Sequence, residues 1–220
     1  MKFTSLIPNG LSMLNMIFGF LSIISSINNH FTNAALFIFL AVLADAFDGK
    51  FARRAHSVSD IGKEFDSLSD LVSFGVAGSL LIYLYALKDM EFGIFIPIFA
   101  LVCTALRLAR FNVDNSPFYF AGLPSPAYGF FAAAFILSKI QLETSAIALI
   151  TVVISLAMVS TIKYPTFKTS GKKFWTALVI LAIILLALSS FDTRFILLPF
   201  LLYFLLSPLA FFWLNKRALK

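Results

Sequence analysis

The chain has 220 residues, of which 60% are hydrophobic, 16% aromatic and 13% charged, with 27 phenylalanines. That balance excludes an ordinary soluble domain and marks an integral membrane protein. The net charge of +6 is not a nucleic-acid signal, because the basic residues segregate by loop, and the one cysteine, Cys103, excludes an internal disulfide and a thiolate metal site.

Eight apolar segments, each near the roughly 20 residues that cross a bilayer as a helix, follow in chain order: 11–27, 31–52, 66–87, 92–111, 125–138, 144–162, 174–190 and 195–214. The predicted class is an all-α integral membrane protein with about eight transmembrane helices. The first segment follows Lys2 without a small-residue cleavage site and is expected to be retained. If both termini lie inside, 14 of the 17 Lys and Arg residues share one side, and only Lys88, Lys139 and Arg194 lie on the other. The positive-inside rule makes the first side cytoplasmic and predicts a multi-pass protein of the cell membrane with both termini in the cytoplasm. Attraction to anionic headgroups is a secondary consequence of the same charges.

Six of the eleven acidic residues fall between positions 45 and 70, and four of them form the pattern Asp45-x2-Asp48-Gly49-x2-Ala52-Arg53-x8-Gly62-x3-Asp66-x3-Asp70. An ionised Asp inside a membrane helix costs about 2.5–3.5 kcal/mol on insertion scales, so four together need cations. At about 100° per residue, Asp45, Asp48, Gly49 and Ala52 share one face of the second helix. Asp66 and Asp70, one turn apart, are expected at the start of the third helix. The segment 54–65, with Gly62, is expected to turn tightly and bring the two pairs together. An all-oxygen set favours Mg²⁺ or Mn²⁺ and can hold two ions, as sites of phosphoryl displacement do. Gly49 and Ala52 leave room for a flat group or serve helix packing. Arg53 suits a phosphate or anchors the helix at the interface.

Asp45 to Asp70 resembles the signature of the CDP-alcohol phosphotransferases at every fixed position, including the eight-residue spacer. The resemblance covers roughly residues 8–168 and implies a catalytic membrane core over 1–168, with 169–220 adding two C-terminal helices to the same domain. It implies a binuclear metal site held by Asp45, Asp48, Asp66 and Asp70, with Asp70 also taking the proton from the attacking hydroxyl. Gly49, Ala52, Arg53, Ser59 and Gly62 would contact the CDP moiety. Near the N-terminus, Pro8-Asn9-Gly10-Leu11-Ser12 is similar to the start of the family's first helix, and Asn9, Ser12 and Asn15 offer polar contacts to the nucleotide. The resemblance also implies a homodimer.

Two later blocks, Arg107-Leu108-Ala109-Arg110-Phe111-Asn112 with Gly122-Leu123-Pro124-Ser125-Pro126-Ala127, and Met158-Val159-Ser160 with Tyr164-Pro165-Thr166-Phe167-Lys168, resemble the phosphatidylserine synthase branch of that family. They imply transfer of the phosphatidyl group from CDP-diacylglycerol to the hydroxyl of L-serine, with release of CMP. A serine acceptor carries a carboxylate and an ammonium, for which Arg107 and Arg110, Asn112 and Lys163 are the candidate partners. Glycerol 3-phosphate or inositol is the nearest alternative acceptor. A cation transporter is the remote alternative, disfavoured because the carboxylates gather at helix ends and no second half mirrors them. Tyr203 and Trp213 read as membrane-interface anchors, the last two segments as packing or lipid-facing helices, and His30 and His56 receive no role.

Overall fold

A computed structural model describes residues 6–55, 60–113, 119–165 and 192–205. Helix α1 (Leu6–Ile27) and helix α2 (Phe31–Ala55) form a hairpin whose reversal places Asn29 in the left-handed region at φ 60°. The third helix, α3 (Asp60–Leu87), is continuous but widens into π-helical turns at Leu71–Val76 and Tyr83–Leu87. After α4 (Phe95–Val113), strand β1 (Tyr119–Ala121) leads into α5 (Ser125–Ser138). Helix α6 (Thr144–Val159) then returns to strand β2 (Lys163–Pro165), which pairs antiparallel with β1 through Tyr119–Pro165, Phe120–Tyr164 and Ala121–Lys163. Among the described residues, α7 (Thr193–Leu205) is the last element and opens with a 3-10 turn.

The architecture is helical, with one short ribbon, and α1, α2, α3 and α4 are each long and apolar enough to cross a membrane. Helices α5, α6 and α7 are apolar but shorter. The outer faces of α1, α2, α4 and α6 carry exposed large hydrophobics such as Phe20, Phe47, Leu106 and Leu149, the exterior expected of a protein solvated by acyl chains. The interior alternates small and aromatic residues: Ala34, Ala35, Ile38 and Ala41 from α2, Phe74, Ala77 and Leu81 from α3, and Tyr128, Ala132 and Ala133 from α5. Small residues let helix backbones approach where lipid supplies no hydrophobic drive between them.

Six of the eight expected segments coincide with α1 to α6; segment 174–190 lies outside the described residues, and 195–214 is described only as far as Leu205. Two expectations are corrected. The turn between the acidic pairs is far shorter than 54–65, because α2 runs on to Ala55 and α3 already begins at Asp60. Gly62 therefore lies within the first turns of α3, and Asp66 and Asp70 sit one and a half turns or more into that helix, where their carboxylates face the bundle interior. A glycine between polar residues reads as a turn, but here the amphipathic run from Asp60 onward outweighs its cost of about 1 kcal/mol in a helix.

The first π turn starts directly after Asp70. Such bulges add a residue to the turn and shift the phase of everything that follows. Ser73, inside it, donates a hydrogen bond of 2.7 Å to the backbone oxygen of Asn15 in α1. The two backbones are close enough that a Cβ added at Gly19 would lie 2.7 Å from the Ser73 Cα. Gly19→Val should therefore force α1 off α3. The expected cost is about 1–3 kcal/mol, the range for overpacking, read as a lowered thermal unfolding midpoint in detergent; an unchanged midpoint would contradict the close approach.

Candidate active site

Four helices converge on Asp70, which is 6% exposed. Its Oδ1 accepts a hydrogen bond from Asn15 Nδ2 of α1 at 3.0 Å, and its Oδ2 accepts one from Ser125 Oγ, at the first turn of α5, at 3.1 Å. The Ser125 oxygen in turn accepts from Arg107 Nη1 of α4 at 2.7 Å. Arg107 is buried, and its guanidinium also lies 5.6 Å from the centre of the Phe111 ring. A buried guanidinium is tolerable only beside compensating charge, and the acidic cluster supplies it.

One oxygen from each of Asp45, Asp66 and Asp70 lies within 4.8 Å of the other two. Oxygens bound to one divalent ion at about 2.0–2.6 Å are at most about 4–5 Å apart, so the spacing suits a shared cation. Asp48 is also buried. It accepts a short hydrogen bond from Ser12 on Oδ2, and its charge bears on the adjacent Asp66. Among the described residues, Asp48 Oδ1, Asp66 Oδ1 and Asn15 Oδ1 are buried without a hydrogen-bond partner. Buried acceptors left unpaired are costly, and here three of them border a set of carboxylates that repel one another. The donor set and its orphaned oxygens thus fit a hard divalent cation.

Of the residues expected from sequence, Ser12, Asp45, Asp48, Asp66, Asp70 and Arg107 are brought together. Ser12 engages Asp48, a ligand candidate, where a contact to nucleotide was expected. Asn9, Gly49, Ala52 and Arg53 are placed by their backbone, in α1 and α2, and Gly62 by its position in α3. Lys163 is placed by its backbone in β2, and Ser59 lies outside the described residues.

Arg110 and Asn112, expected as acceptor partners, are both engaged by groups of the protein itself. Arg110 donates through Nη1 to the Val159 oxygen at 3.1 Å, and through Nη2 to Met158 at 3.3 Å, to Ser160 at 3.1 Å and, closely, to Ala121. It caps the orphan carbonyls at the C-terminus of α6 and ties them to the ribbon, as a cation at that end of a helix should. The fit is tight at Gly122, whose φ of 83° and the 2.0 Å gap between an added Cβ and the Met158 oxygen admit glycine alone. Asn112 spans α3 and α4: its Oδ1 accepts from Ser67 at 3.0 Å and its Nδ2 donates to Glu64 at 3.0 Å. Sequence spacing does not reveal these partners, because it does not show which backbone lies opposite.

Three participants escaped the sequence reading. Ser125 lies within the Gly122–Ala127 block, where a serine between two prolines at a helix start is a rigidly placed hydroxyl. Tyr164, 1% exposed, stacks on Tyr203 at 5.9 Å, and Tyr203 lies within electrostatic range of Arg107. Tyr203 is thus an inward residue of α7, not an interface anchor, and Phe200 beside it packs on Phe131 at 5.2 Å. Only the tertiary packing of α7 against α5 reveals this.

The family model for CDP-alcohol phosphatidyltransferase matches residues 5–213. The chain belongs to the CDP-alcohol phosphatidyltransferase family. The match extends past residue 168 into the last apolar segment, further than the motifs alone reach. Among curated relatives, the archaetidylserine synthase of Methanothermobacter thermautotrophicus is 40% identical over 175 residues, covering 77% of this chain and 75% of that protein. The CDP-diacylglycerol–serine O-phosphatidyltransferase of Bacillus subtilis is 39% identical over 164 residues, covering 74% and 91%. The Helicobacter pylori protein of the same name is 33% identical over 194 residues, covering 83% and 81%.

A cation that binds the folded protein raises its stability with concentration. Millimolar Mg²⁺ or Mn²⁺ should raise the thermal midpoint of the purified protein, and Asp66→Asn should remove most of that rise. No metal-dependent shift in the unaltered protein would contradict a cation site at the cluster.

Proposed function

We propose that the protein transfers the phosphatidyl group of CDP-diacylglycerol to the hydroxyl of L-serine, giving phosphatidylserine and CMP. The observation that carries the acceptor is Arg107, a buried guanidinium separated from Asp70 by a single hydroxyl. It offers one positive charge beside the place where the attacking hydroxyl must lie, which suits an acceptor bearing one carboxylate. Glycerol 3-phosphate, with its doubly charged phosphate, would call for a second cation there. Arg110, the other arginine of that block, is committed to four backbone carbonyls. The names of the relatives point the same way, since they share serine and differ in the lipid.

In this reading Asp45, Asp48, Asp66 and Asp70 hold two divalent ions, Mg²⁺ or Mn²⁺. When bound, such ions supply charge neutralisation of the diphosphate and orientation of its oxygens. Arg53 adds positive charge to the diphosphate, while Gly49, Ala52, Gly62, Ser59 and Asn9 line the nucleotide side. Asp70 receives the proton of the serine hydroxyl as its oxygen bonds to the lipid-linked phosphorus and the bond to CMP breaks. Arg107 orients the serine carboxylate, with Lys163 near the lipid phosphate. Residues 1–168 form the catalytic core and 169–220 supply two further helices, completing eight spans, with the site and both termini at the cytoplasmic face of the cell membrane. The working unit is a homodimer.

The test is CMP release by the purified full-length protein in detergent with CDP-diacylglycerol and Mg²⁺ or Mn²⁺. L-serine should support turnover; release with glycerol 3-phosphate or inositol but not with L-serine would refute the acceptor. Asp70→Asn should lower turnover by about 10²-fold or more, the scale of a lost general base, while CDP binding persists. Asp45→Asn should weaken metal and nucleotide binding together.

A further inference from the structure

The carboxylate of Asp70 is gripped on both oxygens, by donors that come from two other helices. Asn15 Nδ2 reaches Oδ1 from α1 at 3.0 Å, and Ser125 Oγ reaches Oδ2 from the start of α5 at 3.1 Å. We propose that Ser125 is a positioning residue for the transfer reaction: its single proton, directed by Arg107, fixes the orientation of the carboxylate that receives the acceptor proton. This inference rests on the reading of Asp70 as that base.

The direction of the proton follows from donor chemistry. A guanidinium has donors only, so the 2.7 Å contact from Arg107 Nη1 occupies an acceptor site of the Ser125 oxygen. A serine hydroxyl has one hydrogen, and among the described residues the remaining close partner is Asp70 Oδ2, an acceptor when ionised. The hydroxyl is therefore not a free rotor. Its backbone is equally fixed, because Pro124 precedes it at φ −61° and ψ 143°, and Pro126 follows in the first turn, where a missing N–H leaves no hydrogen bond unmade. Ser125 is 0% exposed, so water does not compete for its proton.

Ser125 is also a spacer. It stands between a buried cation and a buried carboxylate that would otherwise close into a direct ion pair, turning Asp70 toward α4 and away from Asp45 and Asp66. With the hydroxyl in place, Asp70 keeps one oxygen within 4.8 Å of those two residues while still being tied electrostatically to Arg107. Asn15 holds the opposite edge of the same carboxylate plane.

The experiment uses the full-length protein in detergent, with CDP-diacylglycerol, L-serine and Mn²⁺, and reads kcat, KM for each substrate and the Mn²⁺-dependent thermal shift. A misplaced reacting group typically costs about 10²-fold, so Ser125→Ala should lower kcat about 10- to 100-fold, with KM for CDP-diacylglycerol changed less than about threefold and the Mn²⁺ shift retained. Ser125→Thr keeps the hydroxyl and should recover kcat to within about fivefold of the unaltered protein. Ser125→Cys, similar in size but a weak donor, should stay near the alanine value. A kcat for Ser125→Ala within about twofold of normal overturns the proposal, as does Ser125→Thr no better than Ser125→Ala at an equal thermal midpoint. If the alanine variant does not fold, normal kcat in Ser125→Cys overturns it instead. Asp70→Asn separates the two readings: if it turns over normally the base assignment has failed, whereas an inactive Asp70→Asn beside a normal Ser125→Ala removes the positioning role alone.

Discussion

Everything in the site follows from the need to keep four carboxylates inside an apolar helix bundle. Their mutual repulsion and lost hydration must be offset locally, and the protein does so with donors drawn from every neighbouring helix. Ser12 and Asn15 of α1 and Ser125 of α5 each meet an acid on α2 or α3, and Arg107 of α4 reaches Asp70 through Ser125. The compensation is incomplete, since Asp48 Oδ1, Asp66 Oδ1 and Asn15 Oδ1 remain buried without partners among the described residues. A site that is electrostatically unfinished in this way fits a divalent cation.

The same constraint explains the packing around it. Helix α1 can deliver Asn15 to Asp70 only because Gly19 lets its backbone press against Ser73, and the π turn of α3 begins at the residue after Asp70, where that contact is made. Arg110 binds the end of α6 to the β ribbon, whose Tyr164 stacks on Tyr203. Two arginines three residues apart thus divide the work, one facing the acidic cluster and one securing the wall behind it.

Much of this was legible in the sequence because charge is rare in the chain. The Asp45–Asp70 pattern stood out against its apolar surroundings, and helix phase put Asp45 and Asp48 on one face. Gly62 misled because a glycine among polar residues has the local chemistry of a turn, whereas the continuity of α3 from Asp60 is decided by packing against α1 and α4. The partners of Arg110 and Asn112 were not legible, because a motif gives residue types and spacing but not the backbone opposite them. Ser125 and Tyr203 were hidden for the same reason: their partners lie 55 and 39 positions away in the chain, and only the assembled bundle brings them together.

The central claim is that the carboxylates of Asp45, Asp66 and Asp70 converge to share a divalent cation beside the Arg107–Ser125–Asp70 connection. Anomalous X-ray diffraction from crystals of the full-length protein grown with Mn²⁺ and a CDP-linked lipid tests it most directly. The account predicts manganese peaks bounded by those carboxylates, with the diphosphate on the same side and Ser125 still between Arg107 and Asp70. Ordered carboxylates with no metal among them, or manganese bound only elsewhere on the protein, would contradict it.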